Sequence, residues 1–138
     1  MCGAKRAEEI LRHMDQTFQS SDQFANLKPT TGIFNAVINS WARSKETKIA
    51  PARVEQILDW MDQLYRNGNS SVKADKYTYN TCLHTYAKSG AKDAAQRAQQ
   101  LLDRMHQMYE DGDLSAKPDT ISYNIVINVS KFLALQHL

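Results

Sequence analysis

The chain has 138 residues, 42% hydrophobic and 23% charged, with a net charge of +2. Such a length suits one modest domain, and the charge excludes a histone-like polycation while leaving room for a local basic lane. Cys2 and Cys82 form neither a disulfide framework nor a zinc spacing, which points to a reduced compartment, and no apolar run approaches the roughly 18 residues of a membrane span.

The opening residues, MCGAKRAEEI, lack the apolar stretch of a signal peptide, and Glu8-Glu9 argue against an organellar presequence. Cys2 stands where myristoylation would need Gly. Residues 1–30 then read as one helix around Ile10-Leu11-Arg12-His13-Met14, followed by a connector. From there the chain repeats. At a shift of 45, FNAVINSWARS (34–44) falls on YNTCLHTYAKS (79–89), and a further shift of 44 brings in YNIVIN (123–128). A second block repeats as well: Ile57-Leu58-Asp59-Trp60-Met61 matches Leu101-Leu102-Asp103-Arg104-Met105, and residues 10–14 have the same form. Fixed-period self-similarity of this kind marks a repeat architecture.

Both blocks have helical spacing. In the first, which we label A, Phe34, Val37, Ile38 and Trp41 recur at three- and four-residue steps, as do Tyr79, Cys82, Leu83 and Tyr86. In the second, B, Val54, Ile57, Leu58, Met61, Leu64 and Tyr65 make a broad apolar face, repeated by Ala98, Leu101, Leu102, Met105, Met108 and Tyr109. Pro51 suits a first helical turn, Asp93 is placed to cap a helix start, and Gly68 and Gly112 suit helix ends. The connectors RNGNSSVKAD and EDGDLSAKPD read as polar turns. The expectation is an all-α, right-handed solenoid of stacked helical hairpins, because one hairpin cannot bury its own apolar face. Its units are a B helix and connector in 1–30, full repeats in 31–75 and 76–119, and an A helix of an incomplete repeat in 120–138. The chain starts in a B helix and runs out after an A helix with no polar cap at either end, which reads as a segment of a longer array or an incomplete gene product.

Residues four apart drift by only about 40° around a helix. One side of the A helices therefore carries Asn35, Asn39 and Arg43, then Asn80, His84 and Lys88, then Asn124, Asn128 and Phe132. Each A helix offers an amide near its start, and the first two offer a cation about two turns later. An amide donates and accepts along a base edge, and a cation holds phosphate. The competing reading is local: Asn near a helix start satisfies loose backbone groups, and cations near helix ends complement the macrodipole. Three registered copies weigh against it, because capping alone would accept Ser, Thr or Asp equally.

The segments TYNTCLHTYAKSG (78–90), AAQRAQQLLDRM (94–105) and AKPD (116–119) before ISYN (121–124) resemble the pentatricopeptide repeat family. The Trp and Leu-Gly pair of tetratricopeptide repeats are missing from the first helices. The resemblance implies single-stranded RNA binding, one repeat to one base, in the organellar RNA metabolism typical of the family (mitochondrion or chloroplast; processing, stability, editing or translation). It pairs Asn35 with Asp75 and Asn80 with Asp119 as base-reading residues, a combination associated with uridine, and leaves Asn124 without a partner. Asp75 and Asp119 also stand where they would cap the following A helix. The base-clamping position falls on Gly32, Tyr77 and Ile121. Ile121 conforms, Tyr77 would stack instead, and Gly32 offers nothing. Arg43 and Lys88 match the phosphate-facing position, from which Phe132 departs.

Other chemistry is thin. The four His are scattered and have no metal-ligand spacing. Glu55, Asp59, Asp62 and Asp103 read as helix-surface acids, and no serine sits in a nucleophile motif. Catalysis by this chain alone, a cofactor and a small-molecule substrate are not expected. Rival readings are a helical-repeat scaffold for protein partners and the RNA-targeting arm of a larger RNA-processing enzyme.

Overall fold

A helix with an apolar stripe needs a neighbour to cover it, and here each helix packs against the one that follows it in the chain. The computed structural model describes residues 3–136, with side chains through Lys131, so Cys2 and the Phe132 side chain lie outside the described residues. The chain forms α1 (Gly3–Ser20), α2 (Thr31–Arg43), α3 (Ala50–Arg66), α4 (Lys76–Ser89), α5 (Ala94–Glu110) and α6 (Thr120–Gln136). Short 3-10 segments cover Asp22–Leu27 and Leu114–Ala116, and no strand occurs among the described residues. The A helices are thus α2, α4 and α6, and the B helices α1, α3 and α5.

Local chemistry sets the boundaries. Pro51 sits in the first turn of α3, where its missing N–H costs nothing. Gly68 and Gly112, just past α3 and α5, have φ of 104° and 108°, a region closed to most side chains. Asp93 occupies the N-cap position of α5, but its side chain makes no capping bond, so α5 lacks the cap expected from sequence.

Phe34, Ile38 and Trp41 of α2 join Val54, Ile57, Leu58 and Met61 of α3 in one core with Tyr79, Cys82, Leu83 and Tyr86 of α4 and Ala98, Leu102 and Met105 of α5. Phe34 meets Trp60 edge-to-face, with ring centroids 4.8 Å apart. The connectors are more than polar turns: Val72 and Ala116 are fully buried and seal the core beside the helix ends. Burial pushes the Cys82 thiol up, and Glu55 adds to it, which leaves this cysteine an inert core residue.

The two rows of helices meet their neighbours differently. Consecutive A helices approach closely, α2 against α4 and α4 against α6. No Cα of α3 comes within 8 Å of one in α1 or α5. Long side chains span that gap instead. Glu8 of α1, with a side chain only 6% exposed, accepts from the Trp41 indole at 3.0 Å, from Arg12 at 3.1 Å and from Arg53 of α3 at 3.4 Å. One repeat later Glu55 accepts from Tyr86 Oη at 3.2 Å and from Arg97 at 2.6 Å. Arg104 of α5 adds ion pairs to Asp59, at 3.5 Å, and to Asp62 of α3. Glu55, Asp59 and Asp62, which read as mere surface charge, therefore hold repeat to repeat, whereas Asp103 pairs with Gln99 of its own helix.

Exposure separates the two acid–aromatic–arginine clamps. The Glu55 side chain is 45% exposed, so water replaces a lost partner there, whereas at Glu8 it does not. Glu8→Gln, which keeps the shape and removes the charge, should cost about 2–3 kcal/mol in urea unfolding. Glu55→Gln should cost under about 1 kcal/mol. Equal losses would contradict this account of the interface.

Candidate functional site

The starts of α4 and α6 carry the same polar arrangement. The Asp75 side chain and Thr78 form a reciprocal capping box, and Asp119 and Ser122 repeat it. Such a box satisfies backbone donors that the first helical turn leaves free. In both copies the box reaches back to the preceding A helix. Asp119 N–H donates to Ser122 Oγ at 3.1 Å, Ser122 Oγ donates to Asn80 Oδ1 at 2.6 Å, and Asn80 Nδ2 donates to Asp119 Oδ1 at 3.2 Å. Asp119 Oδ1 also accepts from Ser122 N–H at 3.1 Å. In the first copy the distances are 3.1 Å from Asp75 N to Thr78 Oγ1, 2.6 Å from Thr78 Oγ1 to Asn35 Oδ1, and 3.4 Å from Asn35 Nδ2 to Asp75 Oδ1.

The structure thus brings Asn35 to Asp75 and Asn80 to Asp119, while both carboxylates also cap the next helix. Asn124 is exposed and makes no side-chain hydrogen bond among the described residues. Tyr77 and Ile121 stand out from the surface, 67% and 57% exposed. Gly32 is exposed as well. A groove of about 360 Å³ runs between α2, α4 and α6, lined by Asn39, Arg43, Asn80, His84, Lys88 and Ile121. Tyr77 borders an adjoining cleft of about 590 Å³ with Lys76, Lys117 and Asp119, and the Lys76 ammonium lies 5.7 Å from its ring centroid.

The two cations of the lane differ. Arg43 is exposed and makes no side-chain hydrogen bond or ion pair among the described residues. Lys88 Nζ donates to the Ala42 carbonyl at the end of α2, 2.8 Å away. One of its three protons is therefore engaged in holding α4 to α2, a role that sequence spacing did not show. Thr78 and Ser122 were missed too. Their signal was present in the chain: an Asp followed three residues later by a hydroxyl, at 75–78 and again at 119–122.

No family model matches this chain, nor does any curated protein or solved structure. Among the described residues no three His, Cys, Asp or Glu side chains converge to hold a metal, and no helix is long and apolar enough to cross a membrane.

Electrostatics favour a charged Asp119. Burial pushes its carboxyl up, but the Ser122 N–H, the Asn80 amide, the Ser122 hydroxyl and Lys76 pull it below the ordinary 3.8. With the folded value depressed, the stabilisation is fully present above the unfolded value and is lost as pH falls through the folded one. A carbon-detected NMR titration should give a midpoint below 3.8, and Asn80→Ala should raise it. A midpoint unmoved by that substitution would show that the amide does not hold the carboxylate.

Proposed function

We propose that this chain forms a right-handed α-solenoid of pentatricopeptide repeat type, and that its A-helix surface binds single-stranded RNA. The observation that carries the reading is the pair of amide–carboxylate nodes with the same hydrogen bonds at the starts of α4 and α6, one per repeat, of which Asn80 lines the groove between A helices. Close A–A packing, set against B helices whose Cα atoms stay more than 8 Å apart, supports a stack curved with α2, α4 and α6 on the inside. Asn35 with Asp75 and Asn80 with Asp119 are the base-reading pairs, with adjacent uridines as the preferred bases. Tyr77 and Ile121 flank the second base, and Arg43 with Lys88 meets phosphate. Organellar RNA processing, stability, editing or translation is the setting that the family resemblance brings with it.

Magnitudes bound the claim. Stacking contributes about 1–3 kcal/mol per base, so two base sites supply about 2–6 kcal/mol before ordering costs. This corresponds to millimolar affinity over most of the range and tens of micromolar at best.

A two-dimensional amide NMR titration of the labelled chain with short U-rich and A-rich RNAs at low salt tests the reading. The Asn80 side-chain and Lys88 backbone signals should move with the U-rich RNA and far less with the A-rich one. Each phosphate contact on a single strand adds about 0.7 to the slope of log K against log salt. Arg43→Ala should lower that slope by about this amount and leave the U-over-A preference intact. No shifts with either RNA, or equal shifts scattered over the surface, would abandon RNA in favour of a peptide-binding scaffold.

A further inference from the structure

An Asn amide is nearly symmetric in shape, so its value as a reading group depends on which end is oxygen. Turned one way, its acceptor and donor match the N3–H and O4 of uracil. Turned over, the same two positions match N3 and the N4 amino group of cytosine. A free amide samples both arrangements.

In both nodes a hydroxyl and a carboxylate together remove that freedom. Asp119 N–H is a fixed donor, and it takes one of the two lone pairs of Ser122 Oγ at 3.1 Å. The hydroxyl has a single proton, and its shortest acceptor contact is Asn80 Oδ1 at 2.6 Å, against 3.1 Å to Asp119 Oδ1. Asn80 Nδ2 then faces the Asp119 carboxylate at 3.2 Å. Turning the amide over would set its oxygen against that carboxylate. Thr78 repeats every link between Asp75 and Asn35. Thr78 and Ser122 are 1% and 0% exposed, so water cannot stand in for either hydroxyl.

We propose that Thr78 and Ser122 are specificity-determining positioning residues: each hydroxyl, acting together with the Asp carboxylate on the other side of the amide, fixes the sense of the base-reading amide in the preceding A helix, so that the repeat prefers uridine to cytidine. The capping box of one repeat thereby sets what the repeat before it reads. One proton on the amide nitrogen and one lone pair on its oxygen remain for the base. The inference rests on the RNA-binding reading for its consequence, while the hydrogen-bond ring itself exists without RNA.

The test has two arms on the full chain, with Ser122→Ala, Ser122→Thr and the isosteric Thr78→Val. Without RNA, side-chain amide NMR should show one Asn80 Nδ2 proton slowed in solvent exchange. That protection should fall in Ser122→Ala, where the Asp119 carboxylate alone holds the amide, and be kept in Ser122→Thr, and Thr78→Val should lower it at Asn35. With RNA, oligomers carrying U or C opposite the second repeat are compared. Ser122→Ala should lower the U-to-C affinity ratio by up to about tenfold, the scale of one hydrogen bond, with U affinity less affected, and Ser122→Thr should restore the ratio. Unchanged amide protection in the alanine and valine variants would overturn the positioning role, whatever RNA does. Lowered protection with an unchanged U-to-C ratio would overturn the specificity role. A wild-type chain that keeps its amide protection but binds no RNA would leave the ring standing, refute base reading, and overturn the specificity claim with it.

Discussion

Asp75 and Asp119 each hold two structures at once. Each carboxylate accepts from the first turn of the helix that it starts and from an amide on the A helix before it. These two demands fix the height of one A helix against the next. A slip along the helix axis of a single residue, about 1.5 Å, would break every link of the node. Register between repeats therefore comes from a polar ring at one end of the A helices, while the apolar core supplies the bulk of the cohesion without direction.

The opposite row works by reach. Glu8, Glu55, Asp59 and Asp62 meet arginines of the next B helix across a gap that no backbone closes. Arginine suits this task because its planar fork is always charged and lies readily on aromatic rings. Arg97 sits 5.0 Å from the Tyr86 ring centroid, and Arg53 5.8 Å from that of Trp41. Close contact on one row and long bridges on the other leave the A-helix face continuous. On that face Asn39, Arg43 and His84 remain exposed beside partly buried Asn35 and Asn80, an arrangement with both fixed and adaptable polar groups.

Much of this was legible in the chain. The three- and four-residue spacing of Phe34, Val37, Ile38 and Trp41, copied at Tyr79 to Tyr86, marks the A helices, and the observed helices begin at Thr31, Lys76 and Thr120. The partnership of Asn35 with Asp75 spans 40 residues, and only the family resemblance implied it. What stayed hidden depends on tertiary neighbours. Glu8 looks like any helix acid until Trp41, Arg12 and Arg53 converge on it. Val72 and Ala116 lie within polar connectors, and their burial follows from where the connector crosses the core. Thr78 and Ser122 hide because a hydroxyl in the first turn of a helix is common, and its onward bond to another repeat leaves no mark in local sequence.

The most direct measurement is a set of intermolecular nuclear Overhauser effects between the isotope-labelled chain and an unlabelled U-rich RNA. The account predicts contacts from uridine base protons to the Tyr77 ring, the Ile121 methyl groups and the Asn80 side-chain amide, with the ribose–phosphate path running toward Arg43 and Lys88. Contacts confined to α3 and α5, or to scattered basic side chains without base-proton proximity to Asn80, would contradict it.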